Sequence, residues 1–164
     1  MRSKLDRLQN LCAASGIHIE RIKLPANLKA IYYADPKTTP VVVIDSSVNT
    51  HNEEACLLAE EIGHHFTSCG NLLTDSDLHK TIISKQEYLA RKWAFKYMIS
   101  LSDLVDAHLS GCRTIHDVAE HLEITDEFLR EAVKVFENIY GSYKLHNGYR
   151  IYFDPLWVEK IDEE

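Results

Sequence analysis

Leu5, Leu8, Leu11 and Cys12 fall on one side of a 3.6-residue repeat in "SKLDRLQNLCAASG", which predicts an opening helix stopped by Gly16. "IHIERIKL" alternates like a half-buried strand, and "AIYYADPKTTPVVVIDSS" predicts two strands around a turn that holds Asp35, Pro36 and Pro40. "VVVID" is short, β-branched and apolar, as a central or well-covered strand would be. The pattern then changes to helical spacing in "NTHNEEACLLAEEIGHHFTS", where Asn52 is a candidate N-cap and Glu53 and Glu54 suit the positive end of the helix dipole. "CGNLLTDSDLHKTII" reads as a loop, and "SKQEYLARKWAFKYMIS" as a second strong helix with Ala90, Trp93, Ala94 and Tyr97 on its spacing. Three short helices follow in "LSDLVDAHL", "TIHDVAEHL" and "TDEFLREAVKVFENIY", separated by Gly111 and by a cap at Thr125-Asp126. "YKLHNGYRIYF" predicts a closing hairpin around Asn147-Gly148.

The expected architecture is one α+β domain with no internal repeat. A core spans 1–100, a helical layer 101–142 and a C-terminal hairpin 143–164. Ile44, Leu57, Leu58, Ile62, Phe66, Leu89, Trp93 and Tyr97 are expected to be buried where the two central helices meet the sheet.

Composition narrows the class. The 164 residues suit a domain with a real core, and the apolar and charged fractions are those of a soluble globular protein. A net charge of −7 argues against a nonspecific nucleic-acid binder, because phosphate contact needs a basic face, yet it leaves room for a cation. Cys12, Cys56, Cys69 and Cys112 are scattered without Cys-x-x-Cys spacing, so free thiols in a cytoplasmic protein are expected. The N-terminal "MRSKLDRLQNL" has no apolar run like that of a signal peptide, and no stretch approaches the ~20 apolar residues of a membrane span.

The chemistry lies in "CLLAEEIGHH". A zinc-protease helix reads His-Glu-x-x-His; here the register reads Glu60-Glu61-Ile62-Gly63-His64. Residues 60 and 64 are one turn apart and share a helix face, so both can reach one metal ion. Glu61 lies ~100° further round, where it can hold and deprotonate a metal-bound water. Gly63 keeps the surface beside His64 free for close approach by another element. A catalytic site needs a third protein ligand, and the next helix offers Glu87. With Glu60, His64 and Glu87 the ligand charges cancel a dication, so weaker zinc binding is expected, and harder ions such as manganese become competitors. The same residues also suit an ordinary solvated helix. Ser84-x-x-Glu87 can equally be a capping box, His65, His51 and His79 are spare histidines, and Cys56 suits a small core position.

Taken together, these segments resemble the ImmA/IrrE family of metallo-endopeptidases. "LPANLKAIYYAD" and "VVVIDSSVNTHNEEACLLAEEIGHHFTS" are similar to the strands and metal helix of that family. Glu87 to Ala94 is similar to its Glu-x-x-Ala-x-x-aromatic-Ala pattern, and "TIHDVAEHLEITDEFLREAVKVFENIYGSYKLHNGYRIYFDPLWVE" to the tail of prophage-type members. The resemblance implies a minimal zincin-like (gluzincin-type) fold and one divalent ion, zinc or manganese, on Glu60, His64 and Glu87. It also implies Glu61 as general base and limited proteolysis of a helix-turn-helix repressor. Position 60 departs from the family's commoner histidine, which keeps open a pseudo-protease that binds a repressor without cutting it. Residues 114–140 can be read as a DNA-binding helix-turn-helix, but Asp126, Glu127 and Glu131 at the reading end repel phosphate. No direct nucleic-acid contact and no membrane are expected.

Overall fold

The computed structural model describes residues 2–25, 27–67 and 77–161. The chain forms two compact units, Met1–Ala94 and Phe95–Glu164, and is α+β. In the first, α1 (Lys4–Ala14) starts on a capping box: Ser3 accepts from the Asp6 N–H and Asp6 accepts in return from Ser3. Its Leu8 and Cys12 are buried, and Gly16 takes the positive φ of 68° that turns the chain into β1 (His18–Ile22). β2 (Ala30–Tyr33) and β3 (Val41–Asp45) complete a sheet ordered β1-β3-β2, with β1 parallel and β2 antiparallel to β3. The apolar "VVVID" run is therefore the central strand, and Val42 and Ile44 are fully buried.

Asp45 ends that strand as a buried carboxylate. It accepts from the Leu24 N–H at 2.6 Å, from the Ser47 N–H at 2.9 Å and from the Ser47 hydroxyl. These bonds, the hydroxyl's foremost, hold its pKa well below the usual carboxylate range. They also tie the chain after β1 to the turn that leads into α2 (His51–Thr67).

The N-cap of α2 is Thr50, whose hydroxyl accepts from the Glu53 N–H at 3.2 Å; Asn52 lies inside the first turn. Glu54 pairs with Arg21 and Glu53 with Lys29, so the first-turn acids also fasten the helix to neighbouring chain. The expected loop at 69–83 falls partly outside the described residues, as does Cys69. From Asp77 onward it is already helix, because α3 runs Asp77–Met98. Ser84 is thus well inside α3, and the capping-box reading of Ser84 and Glu87 fails. The side chain of His79 lies outside the described residues.

The expected core needs redrawing. Ile44, Leu58 and Ile62 are fully buried, but Leu57, Leu89 and Trp93 are half-buried, and Phe66 and Tyr97 are 46% and 44% exposed. Both helices also bury small residues, Ala55, Cys56 and Ala59 on α2 and Ala90 and Ala94 on α3. Close helix packing selects small residues at the contact and leaves the large aromatics at its margin. There Phe66 stacks on Trp93 with centroids 5.1 Å apart.

The second unit holds α4 (Leu101–Leu109), α5 (Ile115–His121) and α6 (Asp126–Tyr140). Ser100 and Thr114 begin α4 and α5 with capping boxes, and Thr125 caps α6. Asn147 and Gly148, with φ of 48° and 79°, turn β4 (Tyr143–His146) into β5 (Tyr149–Phe153). A third strand, β6 (Leu156–Lys160), extends the expected hairpin to a sheet ordered β4-β5-β6. Ile151, Phe153 and Val158 from the sheet are buried, as are Leu104, Leu129 and Phe136 from the helices. No described helix is long and apolar enough to cross a membrane.

Candidate functional site

The site forms where α2 meets α3. A Cβ on Gly63 would stand 2.3 Å from the carbonyl oxygen of Ala90 and 2.9 Å from its carbonyl carbon. Only glycine permits two helix backbones to approach that closely. His64 follows Gly63 directly, and Glu87 lies one turn before Ala90 with Arg91 beside it, so the crossing brings these side chains together. The Nε2 of His64 stands 3.4 Å from Oε1 of Glu87. Two ligand atoms on one tetrahedral ion, at bonds of about 2.1 Å, are about 3.4 Å apart. The pair therefore has the donor types and the separation that a divalent ion needs.

Glu60, one turn before His64, has a different neighbour. Its Oε2 lies 3.8 Å from Nε of Arg91, within ion-pair distance. Among the described residues, no group of three or more His, Cys, Asp or Glu side chains is arranged to hold a metal ion. The donor set fits a divalent cation in its chemistry, with two of the three predicted ligands converging and the third facing a guanidinium.

Glu61 is set by the sheet. The Asp45 N–H donates to the Lys29 carbonyl at 2.8 Å, which fixes the phase of the β2–β3 ladder. Residues 31 and 33 then bond to β3, and Tyr32 turns its N–H outward from the free edge of β2. That N–H donates to the Glu61 carboxyl. The carboxyl has a pKa pushed up to about 7, above all because burial strips it of water. Repulsion from Glu60 adds to this, the Tyr32 hydrogen bond opposes it, and Glu87 contributes the smallest push. A carboxyl poised near neutrality and surrounded by acids is suited to proton transfer.

His65 points elsewhere. Its Nδ1 is 2.8 Å from the Tyr32 hydroxyl, and its ring meets Tyr32 and Phe66 edge to face. Tyr32 and Arg91 went unnoticed in the sequence. Arg91 had a signal: it sits four residues after Glu87, so one α3 face must carry both. Tyr32 had none, because its contribution is a backbone N–H whose direction depends on strand register. Cys56 is buried, as its core reading requires. A small pocket in the second unit is lined by residues that include Leu104, His108, Arg113 and Trp157, and none of the four candidate residues lines it.

The family model described as Peptidase_M78, IrrE N-terminal-like domain, matches residues 12–134. The chain belongs to this family. The matched span contains α2, the crossing at Gly63 and Ala90, and all four of Glu60, Glu61, His64 and Glu87. Membership marks the chain as of the metallopeptidase kind and implies a metal ion, in line with the paired imidazole and carboxylate at the crossing. No curated protein matches the chain.

Proposed function

We propose that this protein is a cytoplasmic, metal-dependent endopeptidase of zincin-like build that makes a limited cut in a helix-turn-helix repressor. The observation that carries the reading is the convergence of His64 and Glu87 at ligand separation next to a desolvated Glu61. His64 and Glu87 would hold the ion, with Glu60 as third ligand. Zinc is the expected ion, with manganese favoured to the extent that carboxylate oxygens dominate. When bound, a divalent ion supplies Lewis acidity toward the scissile carbonyl and lowers the pKa of water. Glu61 takes a proton from the attacking water at its carboxylate and returns it to the leaving amine. The Tyr32 N–H holds that carboxylate in place while it does so. The test is co-expression with a candidate helix-turn-helix repressor. Glu61→Gln should retain the ion and cut at least ~100-fold more slowly; equal cutting would remove Glu61 from its role.

A second reading, a repressor-binding protein that does not cleave, is favoured by the approach of Arg91 to Glu60. Wild type and Glu60→His that bind the repressor, yet are both inert at equal metal loading, would establish it over the first.

A further inference from the structure

We infer that Arg91 offsets the charge of Glu60 at the metal site and weakens the site's hold on a divalent ion. This rests on the metallopeptidase reading of that site. The two carboxylates of Glu60 and Glu87 with a neutral His64 would cancel a dication completely. The Arg91 guanidinium, 3.8 Å from Glu60, returns the total to one positive charge. Two histidines and one glutamate on a dication give that same total. A glutamate at position 60 thus stands with a compensating cation on the facing helix. Glu87 and Arg91 are four residues apart on α3, so the element that delivers one ligand also delivers the opposing charge.

The consequence is competition. An ion that takes up Glu60 must draw its carboxylate from Arg91 and then stay beside a guanidinium. A unit charge a few ångströms from a dication in a half-exposed site shifts its affinity by about tenfold. Arg91 is itself 45% exposed on its side chain, so its replacement can be tested in the folded chain.

Titration calorimetry of the whole chain with manganese and zinc chlorides measures this directly, with equal thermal midpoints confirming that the variants fold. Arg91→Gln should bind either ion about tenfold more tightly than wild type, whereas Arg91→Lys, which keeps the charge, should stay within about twofold of it. If wild type binds an ion and Arg91→Gln binds it equally or more weakly, the inference about Arg91 falls and the metal site stands. If neither chain binds an ion, both fall together.

Discussion

Glu61 makes a claim on stability that needs no substrate. Its carboxyl titrates at about 7 in the folded chain against an ordinary 4.5, chiefly because burial disfavours its charge. A folded-state pKa above the unfolded one means that the folded chain holds this proton more tightly. The associated stability is fully present below 4.5 and is lost as pH rises through 7. At about 1.4 kcal/mol per pH unit, the gap is worth about 3 kcal/mol. Glu61→Gln removes the charge at every pH and keeps an oxygen for the Tyr32 N–H. Its advantage over wild type should therefore grow by about 3 kcal/mol between pH 4.5 and pH 8. The chain has two tryptophans, Trp93 in the first unit and Trp157 in the second, so a Trp157→Phe background makes fluorescence report the first unit. Urea unfolding in a chelator, from pH 4.5 to 8, gives the free energies. A difference between the two chains that stays constant over this range would refute the desolvated carboxyl and the base role built on it.

Gly63→Ala places a methyl group 2.3 Å from a backbone oxygen, so α2 and α3 must part; we expect a loss of about 1–3 kcal/mol in the same assay, and an unchanged midpoint would contradict the close crossing. Asp45→Asn should lower the urea midpoint at pH 7, because an amide offers one acceptor oxygen where the carboxylate uses two. Since folding lowers the Asp45 pKa, the wild-type advantage is lost as pH falls below about 3.8, and the two midpoints should approach each other there; a gap that widens in acid would overturn this account. In an Arg91→Gln background, which removes the facing cation, Glu60→His should tighten zinc binding, because imidazole suits zinc better than carboxylate does, and calorimetry that shows weaker binding would count against Glu60 as a ligand position.

Much of the molecule was legible in its sequence, because local patterns carry local structure. The β-branched "VVVID" run announced a covered strand, the Thr125 cap and Asn147-Gly148 marked a helix start and a turn, and the spacing of Glu60 and His64 placed both on one helix face. Gly63 also signalled that something approaches α2 closely. Tertiary structure decided the rest, because it depends on distances between segments far apart in the chain. Phe66 and Tyr97 fit the helical period, yet the close crossing is made by Gly63 against Ala90, and both large side chains were left substantially exposed. Ser84 looked like a cap until α3 proved to begin at Asp77, well before it. Burial of the Glu61 carboxyl, its bond from an outward strand N–H, and the guanidinium opposite Glu60 all arise from how α2 meets β2 and α3. Residue identities named the chemistry available at this site; the charge each group carries there is set by the groups and the water around it, and folding alone arranges those.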